Sequence, residues 1–122
     1  MKTLILLMLL MDPYAQGQGP SPCQATDLRS KKGGEAAFSL EEICRIEGRM
    51  SLLRDGMSWE EASKKLGIWR KRKKMHVMAH GGVTYRHLGS GYSLAVPFWS
   101  EGTPKRILLV HKQGVVKVVE WW

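Results

Sequence analysis

The sequence predicts an α+β domain, with two N-terminal helices packed on an antiparallel β-meander of three to four strands. Three observations lead there. Apolar residues recur at spacings of three and four between residues 43 and 66. From Val83 onward the period changes to two. The two patterns follow one another instead of alternating, which segregates the helices to one face of an antiparallel sheet. A chain of 122 residues with 43% hydrophobic residues holds one small domain. That excludes a large multi-domain enzyme, and the ordinary globular composition excludes full disorder.

The chain starts with Lys2 and an unbroken apolar run over residues 4–11, then small residues at Ala15 and Gly17. This order matches a secretory signal peptide, with cleavage after Gly17 or after Ala15. Residues 1–17 are therefore expected to be a leader, and the mature protein to be secreted or periplasmic. Cys23 follows Pro20, Ser21 and Pro22 and no small-residue box, so the chain is expected to be non-lipidated. No apolar run approaches the roughly 20 residues of a membrane-spanning helix. Residues 18–37 are rich in Gly, Pro, Ser and Lys and read as a flexible linker. The folded domain then covers residues 38–122. Export permits a Cys23–Cys44 disulfide, which would pin the linker to the domain. Two unpaired cysteines, one buried, fit the sequence equally well.

Ser39-Leu40-Glu41-Glu42 is a capping box that starts the first helix, with Phe38 and Ile43 as its hydrophobic staple. Ile43, Ile46, Met50 and Leu53 give that helix one apolar face, and Gly56 can end it. Ser58-Trp59-Glu60-Glu61 repeats the box for a second helix, stapled by Met57 and Ala62 and ended by Gly67. At about two turns this second helix depends on tertiary support. Strands follow over residues 83–87, 92–98, 106–112 and 115–121, with residues 75–79 a candidate for one more. Leu88-Gly89-Ser90-Gly91 is turn chemistry, and Gln113-Gly114 marks a tight hairpin.

Residues 53–67 (LRDGMSWEEASKKLG) resemble the GMT-x-E-E-V-x-x-x-LG element of the SmpA/OmlA (BamE-like) family. The rest is similar as well: a basic Gly-containing loop, an aromatic strand at Tyr85, a strand ending in Val96 and Phe98, and a closing G-V-V-x-x-V strand from Gly114 to Val119. The resemblance covers roughly residues 50–122. It implies a small envelope-associated domain, two helices on a three-stranded antiparallel sheet, that contacts other proteins and lipid. It also implies that Gly56, Met57, Leu66 and Gly67 are structural positions. The chain departs from that family in lacking a lipidated cysteine and in carrying Ile68-Trp69 where a proline often follows the LG pair.

Charge is divided unevenly. Residues 1–61 hold seven Lys/Arg against nine Asp/Glu, and residues 62–122 hold twelve against two. The net charge of +8 therefore belongs to the second half and favours anionic partners. Its densest part is Trp69-Arg70-Lys71-Arg72-Lys73-Lys74, five consecutive cations beside an indole. That pattern fits electrostatic capture with Trp69 as an anchor. It also fits a solvated, solubilising loop. Trp122 is a second candidate contact, because exposed aromatics near cations suit interfaces.

Enzyme chemistry has little material. The three Asp (Asp12, Asp27 and Asp55) are scattered, and there is no nucleophile elbow or P-loop. His76 and His80 are four apart, as in a zinc helix, but Val77 stands where the general-base Glu belongs and Gly81-Gly82 follows. No catalytic residue, metal or cofactor is expected. The sequence thus points to an exported, non-catalytic protein-binding domain of the cell envelope or periplasm. Its basic loop would meet a protein with an acidic surface or an anionic lipid. The alternative is a cytoplasmic helix-turn-helix DNA regulator, with residues 58–66 and 70–80 as the two helices. Against it, Lys73 and His76 fall where the recognition helix needs apolar residues. A third reading, by architectural analogy with β-lactamase inhibitor proteins, is an inhibitor of a secreted enzyme.

Overall fold

The computed structural model describes residues 19–24 and 37–121. The leader over residues 1–17 and the Trp122 side chain lie outside the described residues. Helix α1 spans Leu40–Arg49 and helix α2 spans Trp59–Leu66. Both begin at the expected capping boxes. The Ser39 hydroxyl accepts from the Glu42 N–H at 3.2 Å, and the Ser39 N–H donates to the Glu42 carboxylate at 3.0 Å. Ser58 and Glu61 repeat the exchange at 3.1 and 3.4 Å. Helix α1 stops earlier than the sequence pattern suggests. A 3-10 turn at Met50–Leu52 replaces the last predicted turn and still buries Met50. Gly67 ends α2 in the left-handed region at φ 81°, and the Ile68 N–H donates to the Ser63 carbonyl. This closing motif folds Ile68 back into the core, where it is fully buried.

Five strands follow: β1 (Val77–His80), β2 (Val83–Gly89), β3 (Tyr92–Pro97), β4 (Arg106–His111) and β5 (Gly114–Glu120). They form one antiparallel sheet in chain order. The expected three to four strands are therefore five. The added strand, β1, falls on the candidate segment over residues 75–79, set two residues later at its start, and carries no alternation because all four of its residues are exposed. It exists because Gly81 and Gly82, at φ 59° and 77°, close a two-residue hairpin onto β2. Leu88, expected in a turn, is instead a fully buried strand residue.

The helices cover one face of the sheet. Phe38, Ile43, Ile46, Met50, Leu66 and Ile68 pack with Leu88, Leu94, Val96, Ile107 and Leu109 in one core. Trp121 closes its edge, held by its N–H to the Lys105 carbonyl at 2.9 Å. The other face carries Met78, Tyr85, Ala95, Leu108 and Val118 in a single cross-strand row.

The expected linker is in part seated on the domain. Residues 19–24 form a strap. The Gly19 N–H donates to the Val115 carbonyl at 2.9 Å, the Tyr92 hydroxyl to the Pro20 carbonyl at 2.6 Å, and the Ser21 hydroxyl to the Glu47 carboxylate at 2.7 Å. Pro22 is buried, and a Cys23–Cys44 disulfide ties the strap to α1. At the other end of the expected linker, Ala37 belongs to the core. Residues 25–36 lie outside the described residues.

Candidate functional site: a basic turn beside a bare sheet edge

Burial of Ile68 turns the chain sharply after α2. Residues Trp69–Lys71 then make a 3-10 turn that leads to β1. The helix-turn-helix reading needed a helix over residues 70–80, and the structure places this turn and a strand there instead. Gly67 ends the preceding helix, and no apolar face exists beyond it to support a recognition helix.

The six residues read as one cluster divide into two groups. Lys71 turns inward. Its ammonium donates to the Glu42 carboxylate at 2.7 Å and to the Ala37 carbonyl at 3.2 Å, and it lies 5.0 Å from the centre of the Phe38 ring. Burial alone would raise the Glu42 carboxyl. The Lys71 hydrogen bond, the Ser39 N–H and the Lys71 charge outweigh it and hold the group below its ordinary value. Lys71 is therefore engaged with the domain, unlike the open cations beside it. Arg72 is also engaged. It donates to the Trp69 carbonyl at 2.7 Å, and its guanidinium lies 3.7 Å from the centre of the Trp69 ring. Lys64 stands 5.6 Å from the same ring. Trp69 is thus a half-buried platform for cations and not a bare anchor.

Arg70, Lys73 and Lys74 are exposed, and their side chains have no partner among the described residues. Lys65 on α2 is in the same state. These cations are the part of the cluster open to a ligand.

Three features were missed in the sequence. Arg86 on β2 lies half-buried, its guanidinium 4.3 Å from the centre of the Trp59 ring and its Nη1 without a hydrogen-bond partner. Burial lowers its ionisation from the ordinary value, and Glu101 opposes that. Glu101 itself accepts a short hydrogen bond from the Thr84 hydroxyl. Alternation from Tyr85 hid Arg86, because a charged residue on the core face breaks the expected pattern. The second feature is a stack of His76 on His87, with ring centres 5.5 Å apart and the His87 Nδ1 2.7 Å from the Ser93 hydroxyl. Strand geometry puts His76 and His80 about 13 Å apart, so their spacing of four is no chelate. Among the described residues no group of three or more His, Cys, Asp or Glu is placed to hold a metal. The third feature is an aromatic pair, Phe98 and Trp99, exposed by 46% and 60%. The Phe98 N–H donates to the Gly82 carbonyl, which sets the pair beside the β1–β2 turn.

No family model, no curated protein and no solved structure matches the chain.

Proposed function

We propose that the protein is an exported, non-catalytic binding domain that captures an acidic protein surface with the turn after α2. One observation carries this reading: Arg70, Lys73 and Lys74 stand exposed and unpartnered on a turn that Lys71 fixes to the core. Long-range attraction to such a patch speeds encounter and is screened by salt. The disulfide agrees with an oxidising compartment outside the cytoplasm. The motif likeness to SmpA/OmlA domains points the same way, toward a small envelope protein that works by contact.

The test has two arms. Intact mass of the natively produced protein, by cell fraction, should show a start at Gln16 or Gln18 outside the cytoplasm. A cytoplasmic product that keeps residues 4–11 would overturn export. In the second arm, immobilised polyglutamate, anionic vesicles and duplex DNA are offered to wild type and to Arg70→Gln/Lys73→Gln/Lys74→Gln. The triple variant should fold normally and lose retention on polyglutamate, most at low salt. Equal retention of both proteins would reduce the turn to a solubilising surface. Stronger retention on vesicles or DNA than on polyglutamate would move the partner to that class.

A further inference from the structure

We propose that β1 is a docking edge for an extended, acid-flanked peptide segment of the partner, which adds a sixth strand to the sheet. The inference rests on the reading of the basic turn and goes on to name the shape of what that turn captures.

The first argument is backbone valence. The His87 N–H donates to the His76 carbonyl. In an antiparallel ladder this makes His76, Met78 and His80 the residues that bond inward to β2, in register with His87, Tyr85 and Val83. Val77 and Ala79 therefore turn their N–H and C=O groups away from the sheet. Nothing among the described residues covers them, and all four residues of β1 are exposed. Such a row is a template for another strand. Of the usual protections β1 has its shortness, four residues, but it reads Val-Met-Ala-His, without proline, lysine or bulge.

Side chains give the second argument. Val77 is 51% exposed and Met78 is 49% exposed, and they point to opposite faces of the sheet. An added strand would cover both. Its own side chains would extend the row that Met78 and Tyr85 begin.

Charge supplies the third and chooses the occupant. Lys74 stands three residues before β1 begins, so a strand leaving past Val77 leaves at the end of β1 that the basic turn enters. Antiparallel pairing is the slightly stronger arrangement. It places the peptide's C-terminal flank at the basic turn, so the acidic residues follow the strand-forming ones. The N-terminal flank then leaves past His80 at the β1–β2 turn. A second copy of this chain is a poorer occupant, because it brings another +8 to the same place.

The probe is the peptide Ser-Thr-Val-Thr-Val-Ser-Glu-Asp-Glu. One control has proline at both valines, and the other has Gln at the three acids. Binding to the full-length oxidised protein is followed by fluorescence anisotropy and amide hydrogen exchange. The Val77 and Ala79 amides should slow by about tenfold or more at saturation. Ala79→Pro removes one outward donor at an edge position that accepts proline, and should weaken the peptide by about tenfold while leaving polyglutamate retention unchanged. Equal binding of the proline control, or no slowing at Val77 and Ala79 in wild type, would overturn the edge and leave the basic turn standing. Equal binding of the Gln control would overturn the acidic flank. Failure of both peptide and polyglutamate at low salt would remove the basic turn as well. Slowing at Val77 and Ala79 with rising protein concentration and no peptide would assign the edge to a second copy and overturn the proposal.

Discussion

The two edges of the sheet are finished in opposite ways. Along β5 the chain lays its own segment, with Gly19 bonded to Val115 and a disulfide behind it. Along β1 nothing is laid among the described residues, and apolar side chains stand open on both faces. Unpaired strand edges invite other chains, and proteins ordinarily block them. Here one end of the β5 edge is met by a strap that a disulfide holds to α1, and the β1 edge is left bare beside the densest positive charge. The contrast fits the proposal that the strapped edge serves stability and the open one serves contact.

Breaking the closed edge should have the largest effect. Cys23→Ser/Cys44→Ser releases the strap and is expected to cost about 3 kcal/mol in urea unfolding, with faster exchange at the β5 edge. An unchanged midpoint would mean that the strap is ornamental and the contrast between edges is only apparent. Gly19→Ala attacks the same contact without touching the disulfide. A Cβ there would meet the Gly114 carbonyl oxygen at 2.5 Å, so the strap must shift. A loss of about 2 kcal/mol is expected, read by the same melt.

At the open edge the expected effects are smaller and separate two kinds of cation. Lys71→Gln removes a partly buried ion pair and should cost about 1 kcal/mol at neutral pH. The sign of its pH dependence follows from Glu42, whose folded value lies below its ordinary one. That contribution is complete above the unfolded carboxylate's titration and is lost as pH falls through the folded value. Wild type and Lys71→Gln should therefore converge in stability on acidification, and a constant difference down to acid pH would refute the pairing. Arg70→Gln/Lys73→Gln/Lys74→Gln should change stability by less than about 0.5 kcal/mol. A larger loss in that melt would show these side chains to be structural and would blur the distinction from Lys71.

Much of the fold was legible in local chemistry. Ser39 with Glu42 and Ser58 with Glu61 announce both helix starts, because a cap and its partner lie within four residues. The β4–β5 hairpin is equally local. What the sequence hid depends on distance or on exposure. The strap reads as linker because Gly19 and Pro20 are used for close approach, and that approach is to residues about 70 to 95 positions away. Strand β1 is legible only as a candidate over residues 75–79, because all four of its residues are exposed and no alternation marks it. The cation cluster was visible as composition. Its division was not, since Lys71 finds Glu42 across 29 residues and Arg72 depends on the turn that Ile68 creates.

The bond from Lys71 to Glu42 also bears on the entropy of recognition. A polybasic loop that moves freely must be frozen when it meets its partner, and each ordered long side chain then costs about 0.5–1.5 kcal/mol. In this protein the backbone of the turn is already riveted to the start of α1 before any partner arrives. A partner strand docking on β1 as proposed would meet a turn whose backbone is already placed, and only the Arg70, Lys73 and Lys74 side chains would remain to be ordered.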